Sequence, residues 1–249
     1  PMLYINEKLG TNKGEELDIA VDPLEGTNFT AKDLPNALSV IAVAKKNCLL
    51  KAPDMYMEKI AIGSGLPDNL INLDHSVEKN IKLLAEAKNT RPENLTACVL
   101  QRKRHDDIIE SLRSLNVKIN FISDGDVSGV ISVALPQSKI DIYLGIGGGP
   151  EGVLAAAALK CLGCQMQTRL KFYENEEKER VKKMGIKDLK LKYNIDDMVK
   201  GDVIFCATGV TDGDLVKGIK EYDDYFESET FVLHKSTKAN NIIKNKMKK

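Results

Sequence analysis

Asp22-Pro23-Leu24-Glu25-Gly26-Thr27 sets two carboxylates three residues apart on a stretch that Pro23 and Gly26 force into a turn. Side chains so spaced can converge on one point, and hard cations such as Mg2+ and Mn2+ prefer such oxygen ligands. Thr27 adds a hydroxyl able to orient a water. The same residues also suit a plain turn, with Asp22 capping it and Glu25 in solvent. Gly147-Gly148-Gly149-Pro150-Glu151-Gly152 likewise has two readings. Gly147, Gly149 and Gly152 satisfy G-x-G-x-x-G between a strand and a helix, the pattern of a dinucleotide loop, and Glu174 stands near the place of its ribose-binding acid. Against this, Pro150 occupies the turn and Glu151 puts a carboxylate where a pyrophosphate would lie. The helix dipole stabilises a carboxylate there, and that carboxylate can hold a cation.

Arg102, Lys103 and Arg104 concentrate positive charge at one strand end, a cluster whose plain reading is a solvated turn. Asp124 and Asp126 flank Gly125 as in an ordinary turn. Cys161 and Cys164 form a C-x-x-C with no second pair, so structural zinc is not indicated. His75, His105 and His234 have no ligand spacing. His105, beside the cationic cluster, is at most a phosphate contact.

The elements that must position these residues show in the hydrophobic pattern. Leu17 to Val21 alternates as a half-buried strand ending at Asp22. Ala37 to Ala44 is a nearly continuous apolar run, suited to a strand covered on both faces. Lys45-Lys46-Asn47 is a turn, and Cys48 to Leu50 restarts a strand. Ser76 to Lys88 repeats Val77, Ile81, Leu84 and Ala87 at helical spacing, with Asp74 or Ser76 as cap. Beyond Pro92 strands and helices alternate: strands at 96–101, 117–122 and 140–146, helices at 106–115, 127–135 and 151–162, the last ended by Gly163. This rhythm predicts a parallel sheet with right-handed crossovers. Ligands then bind beyond the carboxyl ends of the strands, where Arg102–Arg104, Asp124–Asp126 and the glycine loop all fall. Glu174 to Lys183 reads as a solvated helix, Val203 to Ala207 as a buried strand, Phe231 to Leu233 as a last strand. Lys235 to Lys249 reads as a frayed terminus, since it lacks the aromatics of a nucleic-acid arm.

Composition bounds the class. The chain has 249 residues, and its 36 Lys+Arg balance 36 Asp+Glu, so no global field favours nucleic acid or membrane. The longest apolar run, Val153 to Leu159, is too short to span a bilayer, and no signal peptide is visible. Five scattered cysteines point to a reducing compartment, with the cytoplasm as the expected location.

Asp22 to Thr27 resembles the metal-binding signature of the lithium-sensitive sugar and inositol phosphatases. With Glu25 in place of the more usual second Asp, it resembles class II fructose-1,6-bisphosphatases in particular. Ala52-Pro53-Asp54-Met55-Tyr56-Met57-Glu58-Lys59, Gly145 to Met166, and Ala207 to Asp214 carry the likeness in order along nearly the whole chain. The resemblance implies a layered α/β fold of two domains with a cleft between them: residues 1–90 as a metal-binding domain incomplete at its start, and residues 91–249 as a C-terminal α/β domain. In the family a leading acidic segment carries further metal ligands, and here the chain starts at Pro1 without it. Mn2+ or Mg2+ is implied on Asp22, Glu25 and Glu151, with Asp22, Glu25 and Thr27 catalytic. Substrate contacts are implied at Glu25, Gly26, Thr27, Tyr56, Arg102, Lys103, Arg104, Asp124, Gly125, Asp126 and Gly148. The implied reaction hydrolyses the 1-phosphate of fructose 1,6-bisphosphate, or of sedoheptulose 1,7-bisphosphate, in gluconeogenesis and glycerol metabolism, by a homo-oligomer (dimer or tetramer). The alternatives are an NAD(P)-dependent oxidoreductase using the Gly147–Gly152 loop, a related inositol or nucleotide monophosphatase, and a non-catalytic sugar-phosphate-binding fragment.

Overall fold

The computed structural model describes residues 7–249, so the first six positions of the expected metal-binding domain lie outside the described residues. In chain order the first strands are β1 (Leu17–Glu25), β2 (Leu38–Lys45), β3 (Tyr56–Ile62), β4 (Thr96–Leu100), β5 (Lys118–Ile122) and β6 (Ile142–Gly148). The others are β7 (Gln165–Leu170), β8 (Lys192–Asn194), β9 (Val203–Gly209), β10 (Lys220–Glu221), β11 (Tyr225–His234) and β12 (Ala239–Lys248). The helices are α1 (Thr27–Ala31), α2 (Val77–Ala87), α3 (Asp106–Ser114), α4 (Asp126–Ile131), α5 (Gly149–Leu162), α6 (Asn175–Lys183) and α7 (Ile195–Met198).

Two sheets form a layered α/β architecture. One runs β1-β2-β9-β11-β10, with β12 on the outer side of β11, and the other runs β5-β4-β6-β3-β7-β8. Helix α5 lies between them. Its alanine-rich sequence is buried without a break from Gly152 to Leu159, as a helix apolar on all sides must be, and it touches β1, β2 and β9 on one side and β3, β6 and β7 on the other. The α5 layer is one core. A second, built on Ile60, Ile62, Ile81, Leu84, Ile109 and Leu112, lies where α2 and α3 cover the outer face of the second sheet. The expected boundary near residue 90 falls after α2, and each sheet draws strands from both sides of it.

Several sequence expectations need correction. The second sheet is mixed: β4 pairs in parallel with β5 and β6, but β3 enters antiparallel between β6 and β7. Helical crossovers enforce parallel pairing only within β4-α3-β5-α4-β6. Helix α3 packs into the outer core and α4 into the inner one, so the winding direction reverses at β4 and β6. A crevice at such a reversal is the usual ligand position in α/β sheets. Strand β2 buries Leu38, Val40, Ala42 and Ala44, but its other face is only half covered. Cys48 to Leu50 contributes a single bridge, Leu49 to Val199, rather than a strand. The terminus is not frayed: β12 pairs with β11 from Tyr225↔Lys248 to His234↔Ala239, with Lys238 in the left-handed region at the turn. Its side chains stay exposed, so composition alone reads it as a solvated tail. Of the two caps expected for α2, the structure uses Ser76, which accepts from Lys79 N at 3.2 Å.

Candidate active site

Strand β1 does not end at Asp22. It continues to Glu25 through a bulge, because two residues, Pro23 and Leu24, oppose the single Ser39 of β2 (Asp22↔Val40, Glu25↔Leu38). Pro23 has no N–H to give a ladder, and Leu24 N turns back to Asp22 Oδ1 at 3.1 Å. The bulge swings Glu25 inward, so the solvated reading of that residue does not hold. Glu25 is 3% exposed, its Oε1 accepts from Val127 N at 2.6 Å, and its Oε2 is buried with no hydrogen-bond partner.

The turn at Asp124-Gly125-Asp126 meets this one. Asn28 donates to Asp124 Oδ2 through its backbone N (3.1 Å) and its Nδ2 (3.0 Å). Gly26 and Gly125 both adopt φ of +80°, which L side chains avoid, and a Cβ on either would strike the ring of Phe29. Two left-handed glycines thus close on one buried aromatic ring and bring the turns together. Thr27 opens α1 with its side chain exposed beside this junction.

The glycine loop completes the group. Gly147 and Gly148 are the last residues of β6, opposite Met57 and Tyr56 of β3. A Cβ on Gly147 would overlap the Asp126 carboxylate, and one on Gly148 would overlap that of Glu151. Two carboxylates therefore lie on the backbone that a pyrophosphate would need, which removes the basis for the dinucleotide reading. Asp126 takes the hydroxyl of Tyr143 on Oδ1 and the ammonium of Lys59 on Oδ2, both partners being fully buried.

The three cations of Arg102–Arg104 diverge. Arg104 donates from Nε to Ile146 O at 3.0 Å and lies 4.8 Å over the Tyr56 ring, which Tyr173 meets edge-on at 5.7 Å. Arg102 and Lys103 instead line a cleft of about 340 Å³ with Asp106, Ile109, Arg113 and Phe121. His105 is not a phosphate contact. Its Nδ1 donates to Leu100 O at 2.6 Å and its Nε2 accepts from Ile146 N at 2.8 Å, so it ties β4 to β6 as a neutral imidazole. Burial holds its pKa down.

Electrostatics mark the same group. Burial, and then the neighbouring Asp126, Asp22 and Asp124, push Glu25 up to about 8. Burial raises Asp22, assisted by Asp124. It also raises Glu151, which Lys59 pulls back down while Asp126 and Asp22 push it further up. Among the described residues no group of three or more His, Cys, Asp or Glu is close enough to hold a metal by itself. Even so, the unpartnered Glu25 Oε2 and the repulsion that Asp22 exerts on both Glu25 and Glu151 suit part of the oxygen shell of a hard divalent cation.

Sequence reasoning passed over Asn28, Phe29, Lys59 and Tyr143. A signal existed for Lys59: along β3 the residues Met57, Lys59 and Ala61 share the row facing α5, and only the middle one is charged.

Comparison with known proteins agrees with this geometry. Residues 1–247 match the family model of bacterial fructose-1,6-bisphosphatase, glpX-encoded. The class 2 fructose-1,6-bisphosphatase of Haemophilus influenzae is 42% identical over 247 residues, covering 94% of this chain and 74% of that protein. Fructose-1,6-bisphosphatase 1 class 2 of Escherichia coli is also 42% identical, over 94% of this chain and 73% of its own. The class 2 enzyme of Shigella flexneri gives the same figures, 42%, 94% and 73%. The bulged acidic turn, the carboxylate-filled glycine loop and this likeness along the chain together show that it belongs to the glpX-encoded family of bacterial fructose-1,6-bisphosphatases.

Proposed function

We propose that this protein is a metal-dependent phosphatase that hydrolyses the 1-phosphate of fructose 1,6-bisphosphate, giving fructose 6-phosphate and orthophosphate. The observation that carries the reading is the joining of two segments remote in sequence, Asp22–Thr27 and Asp124–Val127, through Glu25, whose other carboxylate oxygen is buried and unpartnered, with Gly147 of the glycine loop closing on Asp126. The curated relatives are named for the same substrate.

In this reading Asp22, Glu25 and Glu151 hold Mn2+ or Mg2+. When bound, the cation supplies positive charge that offsets the charge on the phosphoryl oxygens. Thr27 orients the water whose oxygen adds to phosphorus as the bond to the sugar oxygen breaks. Arg104, steadied by Tyr56 and Ile146 O, grips the non-reacting phosphate, with Arg102 and Lys103 adding charge nearby. Asp124 and Asp126 accept hydrogen bonds from the sugar hydroxyls. Gly26, Gly125 and Gly148 let the backbone approach. Sedoheptulose 1,7-bisphosphate has the same phosphate next to a ketose carbon and is a second substrate. A role in gluconeogenesis and glycerol metabolism, a cytoplasmic setting and self-association into a dimer or tetramer belong to the same reading. No helix among the described residues is long and apolar enough to cross a membrane.

The test is orthophosphate release from fructose 1,6-bisphosphate with Mn2+, Mg2+ or EDTA. Asp22→Asn is expected to lose about 100-fold or more, by analogy with loss of metal-site residues. Release that ignores both EDTA and this substitution would sink the reading.

A further inference from the structure

Lys59 is the most deeply buried charged side chain of the second sheet, with none of its side chain exposed. It lies on β3 between Met57 and Ala61, both wholly buried in the layer that holds α5. Its ammonium meets Asp126 Oδ2 in the first turn of α4, while Tyr143 of β6 donates its hydroxyl to Oδ1. The first turn of α5 lies against it as well. A Cβ on Gly152 would stand 3.3 Å from Lys59 Cε and 3.8 Å from Nζ. The Lys59 charge also reaches Glu151, whose pKa it lowers against the effect of burial.

A lysine so placed needs a reason. Removing an ion pair from water costs several kcal/mol per ion, and apolar residues of the same volume often do as well or better for stability. Met, Leu or Ile would continue the apolar row that Met57 and Ala61 begin. What an apolar residue would lack is a donor aimed at Asp126. Donors from two different strands, β3 and β6, seize the two oxygens of that carboxylate and leave it one orientation. Each oxygen keeps a free lone pair for a further partner.

The geometry points to Lys59 as a positioning residue of the site, which with Tyr143 locks Asp126 in the orientation that receives the sugar and keeps the first turn of α5 in register beside it. This rests on the function proposed above, in which Asp126 faces the sugar hydroxyls. Lys59 touches no reacting atom. Its effect falls on recognition of the sugar rather than of the phosphate.

Calorimetric binding in the presence of Mn2+ tests this with two probes, fructose 6-phosphate and orthophosphate. Lys59→Met and Tyr143→Phe are compared with the wild-type chain, and thermal unfolding confirms that each variant is folded. Lys59→Met is expected to weaken fructose 6-phosphate binding about 10- to 100-fold, the usual size of losing an orienting partner, and orthophosphate binding by less than about 3-fold. Tyr143→Phe moves the same ratio in the same direction by a smaller factor. It removes one oxygen atom and carries the test if Lys59→Met does not fold. In an Asp126→Asn background neither substitution adds its full effect, because both act through that carboxylate.

Equal losses for the two probes, unchanged binding in both variants, or full additivity with Asp126→Asn would overturn the role of Lys59. A wild-type chain that binds orthophosphate but not fructose 6-phosphate overturns the proposed function itself, and this role with it.

Discussion

Glu25 accepts a 2.6 Å hydrogen bond from the backbone N–H of Val127, 102 residues further along the chain. This bond joins the bulge of the first sheet to the first turn of α4 above the second, so one carboxylate reports on how the two layers meet. Only one of its oxygens is satisfied, and the other is buried without a partner.

The first prediction concerns pH. Glu25 titrates at about 8 in the folded chain against an ordinary 4.5. Between those values the folded state keeps a proton that the unfolded state has released. Its contribution to stability is therefore full below about 4.5 and is lost as pH rises towards 8. The loss is on the order of 5 kcal/mol, at about 1.4 kcal/mol per pKa unit. In EDTA the melting temperature is expected to fall between about pH 5 and pH 8 from this group, and Glu25→Gln to flatten that slope. Identical slopes for wild type and variant in circular dichroism melts would contradict the account.

Gly148→Ala tests the close approach of Glu151. The new methyl group overlaps the Glu151 carboxylate, which must swing away, while φ of −65° at this position is ordinary for alanine. Fold and melting temperature should survive. Turnover should drop about 10- to 100-fold and need more Mn2+ to saturate. A Mn2+ titration of the variant that overlays the wild type would show that Glu151 has no part in holding the metal.

Phe29→Ala removes the ring on which Gly26 and Gly125 close. Truncating a buried Phe costs about 3–5 kcal/mol. Urea unfolding should show that loss, and turnover should fall too, because the two acidic turns lose their common support. Stability lost with turnover unchanged would mean that Phe29 is core filling alone.

Tyr56→Leu leaves Arg104 without the aromatic face 4.8 Å away. An exposed cation–π contact is worth about 0.5–1 kcal/mol, or about 2- to 5-fold, and the effect should appear in KM more than in kcat. A fall in kcat at unchanged KM would place Tyr56 at the reacting phosphate instead.

His105→Leu strips a buried carbonyl, Leu100 O, and a buried N–H, Ile146 N, of their partner. Each orphaned group costs about 1–3 kcal/mol. Chemical unfolding should register the loss. If stability is kept while affinity for orthophosphate falls, His105 is a ligand contact after all.

Much of this protein was legible in its sequence. Local rules place the left-handed break at Gly26, a cap for α2 at Asp74 or Ser76, the strand-helix rhythm beyond residue 95 and the stop at Gly163, since each depends on residues a few positions apart. By type and spacing alone the acidic and glycine motifs each kept two readings, and the resemblance to class II fructose-1,6-bisphosphatases separated them. Only the tertiary structure decided the rest, because partners remote in sequence settle it. The burial of Glu25 depends on a bulge against β2 and on Val127, and the antiparallel entry of β3 on pairing with residues 80 or more positions later. The order in β12 comes from backbone hydrogen bonds that leave no trace in a side-chain pattern. Lys59 is the sharpest case: its place in an apolar row marks it among 36 Lys and Arg, but its partner is set only when β6, α4 and α5 close over it. Spacing along a chain names the groups able to act, and long-range packing, by removing water, sets which of them are charged, paired and aimed.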